Sequence, residues 1–401
     1  MADIVPFIER RAQATDILAQ ECEGWLAYDF RRSNSLACYA LGIDPGALLT
    51  RRFFYWVPVQ GDPVKIVHGI EPGVLDHLPG ESITYRTWQE LDVALKNALE
   101  GVRTVAMEYS PRNAIPYLSK VDAGTVDWVR SLGIDVVSSG NFIQYLTSVL
   151  TQEQIRAHLT AEEAAVHIMR EAWQWIKHAL QEDKLITDWA VQKYILDQIA
   201  QRGLITEVSP LCALNANTAD PHFMAVEDTA RFIRKGDFIM IDLGCKVPGD
   251  AGVYADITHV GIAAKNALPI HHEVFKTVKA ARDAACTFVQ ERFERAKPLT
   301  GAEVDRCTRT VIEEAGYGEY FIHRTGHNIG YHEHGDGAHL DSYETEDNRQ
   351  LLPGTCFSIE PGIYLPGDFG VRLEHDVLVL PDGEVRMTGG MQHELHYLLA
   401  D

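Results

Sequence analysis

Positive charge is scarce in this sequence. Its 401 residues include 36 Lys and Arg against 57 Asp and Glu, a formal net charge of −21. A nucleic-acid partner requires clustered Lys and Arg to meet the phosphate backbone, so that class is excluded as a main partner. A polybasic membrane-surface binder is excluded on the same ground. Long apolar runs are also missing. None approaches the ~20 apolar residues that span a bilayer. The runs at 238–241 and 377–380 have the length of buried strands. The N-terminal MADIVPFIERR has no basic segment leading into a continuous apolar one, so no secretory signal is expected. Cysteine is sparse and scattered: seven residues, at 22, 38, 212, 245, 286, 307 and 356, with no C-x-x-C pair. That disfavours a disulfide frame or a thiolate zinc site and predicts reduced thiols in a cytoplasmic compartment. G-x-S-x-G, the phosphate-binding P-loop and G-x-G-x-x-G are all absent. His271-His272-Glu273 and His393-Glu394-Leu395-His396 do not have the i, i+4 spacing of H-E-x-x-H.

What remains is an ordinary globular composition, 46% hydrophobic and 23% charged, over a length that suggests about two domains. Charge is uneven. Residues 1–150 carry 13 basic and 18 acidic side chains, and residues 151–401 carry 23 and 39. In the first part, candidate strands at 25–28, 53–59, 64–68, 105–108 and 135–137 alternate with helical patterns at 87–99 and 125–132, after an opening helix at about 7–22. This alternation predicts a small α/β domain. A long helical pattern at 152–182, free of Gly and Pro, marks the boundary near 145–155. Further helices are predicted from the N-cap Thr187 to Gly203, over about 269–293, and from the capping box Thr300-x-x-Glu303 to Gly316. Strand pairs lie between and after them, so residues 151–401 are expected to form an α+β domain. Met169, Trp173 and Trp175 are read as core. Tyr55 and Trp56 either pack in the first domain or reach over a neighbouring site in a dimer.

Histidine is the unusual count. Of 17 in the chain, five fall between His323 and His339. Such a cluster points to a metal or acid–base site. Acids also occur where acids are costly. Apolar residues 238–241 run into Asp242, and Asp256 sits inside a second apolar run 14 positions later, beyond the turn formers CKVPGDAG. This predicts a hairpin with the two carboxylates close across it. The pattern repeats at Glu360 and Glu374, again 14 apart with Pro and Gly between. One such hairpin could be a solvent-facing edge. Two with matched acids favour a cation site over that edge, because a buried charge is costly unless paired. His327 adds a nitrogen donor. Four carboxylates and one imidazole suit Mn, Co, Fe or Zn, and their charge suits two ions better than one.

At this point the residues resemble a known family, the pita-bread metallopeptidases: methionine aminopeptidase, aminopeptidase P and prolidase. The blocks PHF at 221–223, IDLG and YADITH within 241–259, HRTGHNIGYHEH at 323–334, and SIEPGIY and GVRLEH within 358–375 occur in the family's order. A preceding α/β domain resembles the prolidase and aminopeptidase P branch. The resemblance implies a creatinase-like α/β domain over 1–150 and a pita-bread catalytic domain over 151–401. It implies Asp242, Asp256, His327, Glu360 and Glu374 as ligands of two divalent ions, manganese first among them. Asp256 and Glu374 would bridge, Asp242 would serve one ion, and His327 with Glu360 the other. It further implies His222, His323, His334, Tyr364 and Arg372 as substrate contacts, with Glu360, His334, His323 and Arg372 in catalysis and Glu360 as the proton shuttle. Arg372 could instead be a salt bridge supporting Glu374. His332 and His339 match no family position.

Three departures stand out. The Asp242–Asp256 spacing is three residues longer than usual, which is expected to lengthen the turn and leave the strands unbulged. His259 replaces a common Arg, and Gly335 replaces an acid after His334. Both are expected to alter charge or substrate contacts around the ligands. The expected activity is cleavage of the bond before proline in Xaa-Pro dipeptides by a cytoplasmic homodimer. The alternatives are an Xaa-Pro aminopeptidase, or a non-catalytic binding protein on the same fold. The complete ligand set separates the chain from creatinase, a relative on this fold without the metals.

Overall fold

The computed structural model describes residues 6–400, and the chain divides at Val149/Leu150 into two compact units. In the first, α1 (Pro6–Leu18) leads into β1 (Gly24–Asp29) and α2 (Ser35–Ala40). Then come β2 (Phe53–Pro58), β3 (Val64–His68), β4 (Glu81–Tyr85), α3 (Trp88–Ala98), β5 (Thr104–Met107), α4 (Ala123–Ser131), β6 (Asp135–Ser138) and α5 (Gly140–Thr147). The six strands form one sheet in the order β4-β3-β2-β1-β5-β6. Strands β1 and β2 are apolar on both faces because two separate cores cover them, one under α1, α2 and α5, the other under α3 and α4. Tyr55 and Trp56 are buried in those cores, which decides between their two readings. The short α2 and α5 and the exposed edge strand β4 have no expectation in the sequence. The opening helix ends at Leu18, four residues before the expected limit, and the chain leaves it in a turn.

The second unit opens with α6 (Gln152–Gln181), started by a Thr151 capping box with Gln154, and α7 (Asp188–Gln201), capped by Thr187. Strands β7 (Leu211–Leu214), β8 (Phe238–Cys245) and β9 (Ala255–Ile262) follow, then α8 (Pro269–Glu294) and α9 (Gly301–Glu314). After these come β10 (Asn328–Ile329), β11 (Cys356–Ile359), β12 (Gly362–Leu365), β13 (Phe369–Arg372), β14 (His375–Val379), β15 (Val385–Thr388) and β16 (His396–Tyr397). Ala161, Ala165, Ile168, Met169, Ala172, Trp173 and Ile176 recur at helical spacing along α6 and pack on Ile239, Ile241, Leu243 and Ile257 of the sheet. Burying each large apolar side chain there stabilises the fold by about 1.5–3 kcal/mol. The other sheet face meets α8 through Phe238, Met240, Val260 and Ile262. Two four-stranded sheets result, β16-β9-β8-β7 and β10-β11-β14-β15. They touch at a bridge between Thr258 and Glu374, where Glu374 N–H donates to Thr258 O at 3.2 Å. Among the described residues no helix is long and apolar enough to cross a membrane.

Candidate metal centre

The candidate site lies where the two sheets meet. Residues Phe238, Met240, Asp242 and Gly244 share one face of β8, and Asp256, Thr258, Val260 and Ile262 share the matching face of β9. Half of this face is core under α8. The other half holds the acids. Eight consecutive pairs run from Phe238↔Ile262 to Cys245↔Ala255 without a bulge, so the extra residues lie in the turn, as expected. Asp242 faces Thr258, and Asp256 faces Gly244, so the two acids are close across the hairpin as diagonal neighbours.

The second acid pair is opposed. Ile359 pairs with His375 on one side, Gly362 pairs with Arg372 on the other, and Glu360 and Glu374 fall in the same register between. The hairpin bends at this point as it leaves one sheet for a two-stranded extension.

His327 is buried, and its Nε2 lies 3.3 Å from Glu360 Oε1, 3.7 Å from Asp256 Oδ2 and 4.0 Å from Glu374 Oε1. Its Nδ1 is 3.2 Å from the Asn328 carbonyl, which can only accept, so Nδ1 carries the proton. Burial, with His334 next to it, holds the imidazole well below its usual pKa. A neutral ring therefore aims a lone pair at three carboxylates. Burial and then Glu374 push the Asp256 carboxyl well up. Burial and then Glu360 do the same for Glu374, and burial raises Glu360 to about 7. The ligand atoms of Asp256, His327 and Glu374 lie within 4.8 Å of one another, a donor set that fits a divalent cation. Nitrogen lone pair and carboxylates repel unless a proton or a cation lies between them.

Asp242 receives a hydrogen bond from Arg372 Nη2, which makes Asp242, and not Glu374, the ion-pair partner of Arg372. Arg372 Nε donates to Thr258 Oγ1 at 3.2 Å, and Thr258 in turn donates to Glu374 Oε2 at 2.7 Å. Arg372 Nη1 donates to Tyr364 Oη at 3.0 Å, and Tyr364 donates to His323 Nε2 at 2.8 Å. His323 Nδ1 faces the Arg324 carbonyl at 2.7 Å, so Nε2 is the acceptor. Burial and the neighbouring Arg372 lower His323 to about 3. His323 thus orients the Tyr364 hydroxyl. His222 and His334 are exposed, with the His334 ring 4.2 Å from that of His327.

The two substitutions sit in different surroundings. His259 points to the opposite face of β9 from Asp256 and Thr258, where Nε2 meets Gly390 O at 3.0 Å and Nδ1 meets His396 at 3.2 Å. The strand's period of two removes it from the ligands. Gly335 is required by packing: a Cβ there would lie 2.3 Å from Asn328 Oδ1.

Four residues near the ligands escaped the sequence reading. Asp376 is buried and accepts from the Asp256 backbone N–H at 3.0 Å, while its Oδ1 has no partner. Ser358 accepts from His327 N–H at 3.0 Å and lies 3.2 Å from Glu360 Oε1, to which it donates. The others are Thr258 and Glu333. The period of two places Asp376 beside Glu374, Thr258 beside Asp256 and Ser358 beside Glu360, which was a usable signal. Glu333 gave none.

A two-domain α/β architecture whose second unit gathers carboxylates and one imidazole at a sheet junction defines a pita-bread metallopeptidase. The chain belongs to metallopeptidase family M24, whose model matches residues 156–381, more than half of its length. It is 32% identical over 247 residues to a probable dipeptidase PepE of Mycobacterium tuberculosis, covering 60% of this chain and 61% of that protein. It is 31% identical over 245 residues to an Xaa-Pro dipeptidase of Lactobacillus helveticus, covering 61% and 60%. The matched segment thus spans about three-fifths of these curated relatives. The crystal structure of dipeptidase PepE from Mycobacterium ulcerans superposes with a TM-score of 0.67 at 23% identity, covering 99% of both chains, which shows the shared fold.

Proposed function

We propose that this protein is a dinuclear metallopeptidase that hydrolyses the bond before proline in Xaa-Pro dipeptides. The observation that carries the reading is the His327 Nε2 lone pair directed at Asp256, Glu360 and Glu374 in a buried site. The names of the relatives support the substrate class. Asp242, Asp256, His327, Glu360 and Glu374 would hold the two ions. When bound, the ions would act as Lewis acids and make a water acidic enough to attack a carbonyl near neutral pH. Manganese is our first choice, with Co, Zn or Fe as alternatives. Glu360, buried beside His327 Nε2, would be the group that takes up and returns a proton. His334 would donate to the developing oxyanion, and exposed His222 would meet the substrate carboxylate. Arg372, Tyr364 and His323 would hold Asp242 and the cleft wall in place.

We further assign 1–150 to a creatinase-like domain and 151–401 to the catalytic domain, and infer a cytoplasmic homodimer. The seven free thiols agree with that compartment. The test is hydrolysis of Ala-Pro beside Ala-Pro-Ala by chelated protein with and without added Mn. Metal-dependent cleavage of the dipeptide alone is expected. Preference for the tripeptide would make the protein an aminopeptidase. Cleavage of neither peptide, with two ions bound, would refute the substrate class.

A further inference from the structure

Glu333 lies between His332 and His334, in the segment that follows His327. Its carboxylate is turned inward. A Cβ added to Gly244 would sit 2.4 Å from Glu333 Oε2 and 3.5 Å from Asp256 Oδ1. Gly244 is the residue opposite Asp256 across the hairpin. The bare α-carbon thus makes the space that the Glu333 carboxylate fills, and that space adjoins Asp256. Glu333 Oε2 is buried and has no hydrogen-bond partner. Stripping a carboxylate oxygen of water without a partner is costly, so the oxygen calls for a proton or a cation.

No protein cation serves. Among the described residues no Lys, Arg or His forms an ion pair with Glu333. The nearby amine on the same hairpin is committed elsewhere. Lys246 Nζ donates to Glu207 Oε1 at 2.9 Å and to Tyr331 O at 2.6 Å, and lies 3.5 Å from the centre of the Tyr331 ring. Those bonds have a second effect. With Tyr254 N–H donating to Gly330 O at 3.1 Å and Gly335 N–H to Asn328 O at 2.7 Å, they fix the backbone on both sides of Glu333. The side chain is held by its loop, and the insertion in the 246–254 turn supplies part of that hold. The acid missing at Gly335 therefore has a counterpart on the other side of His334.

We propose that Glu333 is a sixth protein ligand of the metal centre, acting on the Asp242–Asp256 side. This rests on the metal-binding reading above and goes beyond its five residues. The test is calorimetric titration of chelated full-length protein with Mn(II), with bound metal counted by elemental analysis. Wild type is expected to bind two ions. Glu333→Gln, close in shape, is expected to weaken one of them about 10- to 100-fold and leave the other unchanged. Gly244→Ala keeps every charge but pushes the Glu333 carboxylate away, and is expected to weaken the same ion. Near-identical thermal melts of the chelated variants would exclude misfolding as the cause. Two unaltered affinities in Glu333→Gln would overturn the proposal while leaving the dinuclear reading intact. Unaltered affinities with a raised KM for Ala-Pro would also overturn it and assign Glu333 to the substrate ammonium. Failure of wild type to bind Mn(II) at all would overturn both.

Discussion

The carboxylates that hold a cation should destabilise the protein that lacks one, and Asp256→Asn measures by how much. The ligand oxygens of Asp256 and Glu374 lie within 4.8 Å of each other. Two unit charges at that separation repel by about 3.5 kcal/mol at an effective dielectric of about 20. Part of this is already relieved without metal, because burial and Glu374 drive Asp256 toward its protonated form. Asparagine keeps the shape and leaves the backbone N–H bond to Asp376 untouched. In chelated protein at pH 8, Asp256→Asn should therefore raise stability by about 1–2 kcal/mol, a rise in Tm of roughly 2–8 °C for a unit of this size. In excess Mn(II) the order should reverse. Wild type gains about 2.7 kcal/mol when metal stands at 100 times Kd, and the variant gains far less and has no turnover. The assay is a thermal melt of both proteins in EDTA and in Mn(II). A chelated variant that melts at or below wild type would refute the reasoning.

His158 supplies a pH prediction away from the ligands. It is buried against Tyr254 O and Thr388 Oγ1, and burial lowers it from 6.5 to about 4. The folded ring refuses a proton that the unfolded chain accepts, so its contribution is full above about pH 6.5 and lost as pH falls toward 4. Between pH 7.5 and 4.5 wild type should lose about 2–3 kcal/mol more than His158→Gln, read from urea midpoints. If both decline in parallel, the assignment is wrong. Tyr364→Phe deletes the hydroxyl between Arg372 and His323. It should cost about 1–3 kcal/mol by leaving buried polar groups unpaired, and should lower turnover with both ions retained. Loss of metal from that variant would move Tyr364 into the ligand set.

The helices were legible because their ends are local. Thr300 with Glu303 closes a capping box within one turn and was read from four residues, whereas the Thr151–Gln154 box was not named although it is equally local. Strand β4 was not legible, since its mostly exposed residues carry no alternation to read. The acids were legible for a different reason. A charge that interrupts an apolar run is conspicuous in one dimension, and Asp242, Asp256, Glu360 and Glu374 each do so.

Partner choice was another matter. Arg372 could equally have served Glu374, two residues away, yet it pairs with Asp242, separated by 130 positions. Thr258 reaches Glu374 across 116. Glu333 offered no sequence signal, because its meaning depends on the bare α-carbon of Gly244 opposite Asp256. The sequence by itself determined most of the elements, the donor types and the family resemblance, since propensity, periodicity and spacing are properties of neighbouring residues. Only the tertiary structure decided which donor meets which acceptor, because two sheets had to meet at Thr258 and Glu374 before any of those distances existed.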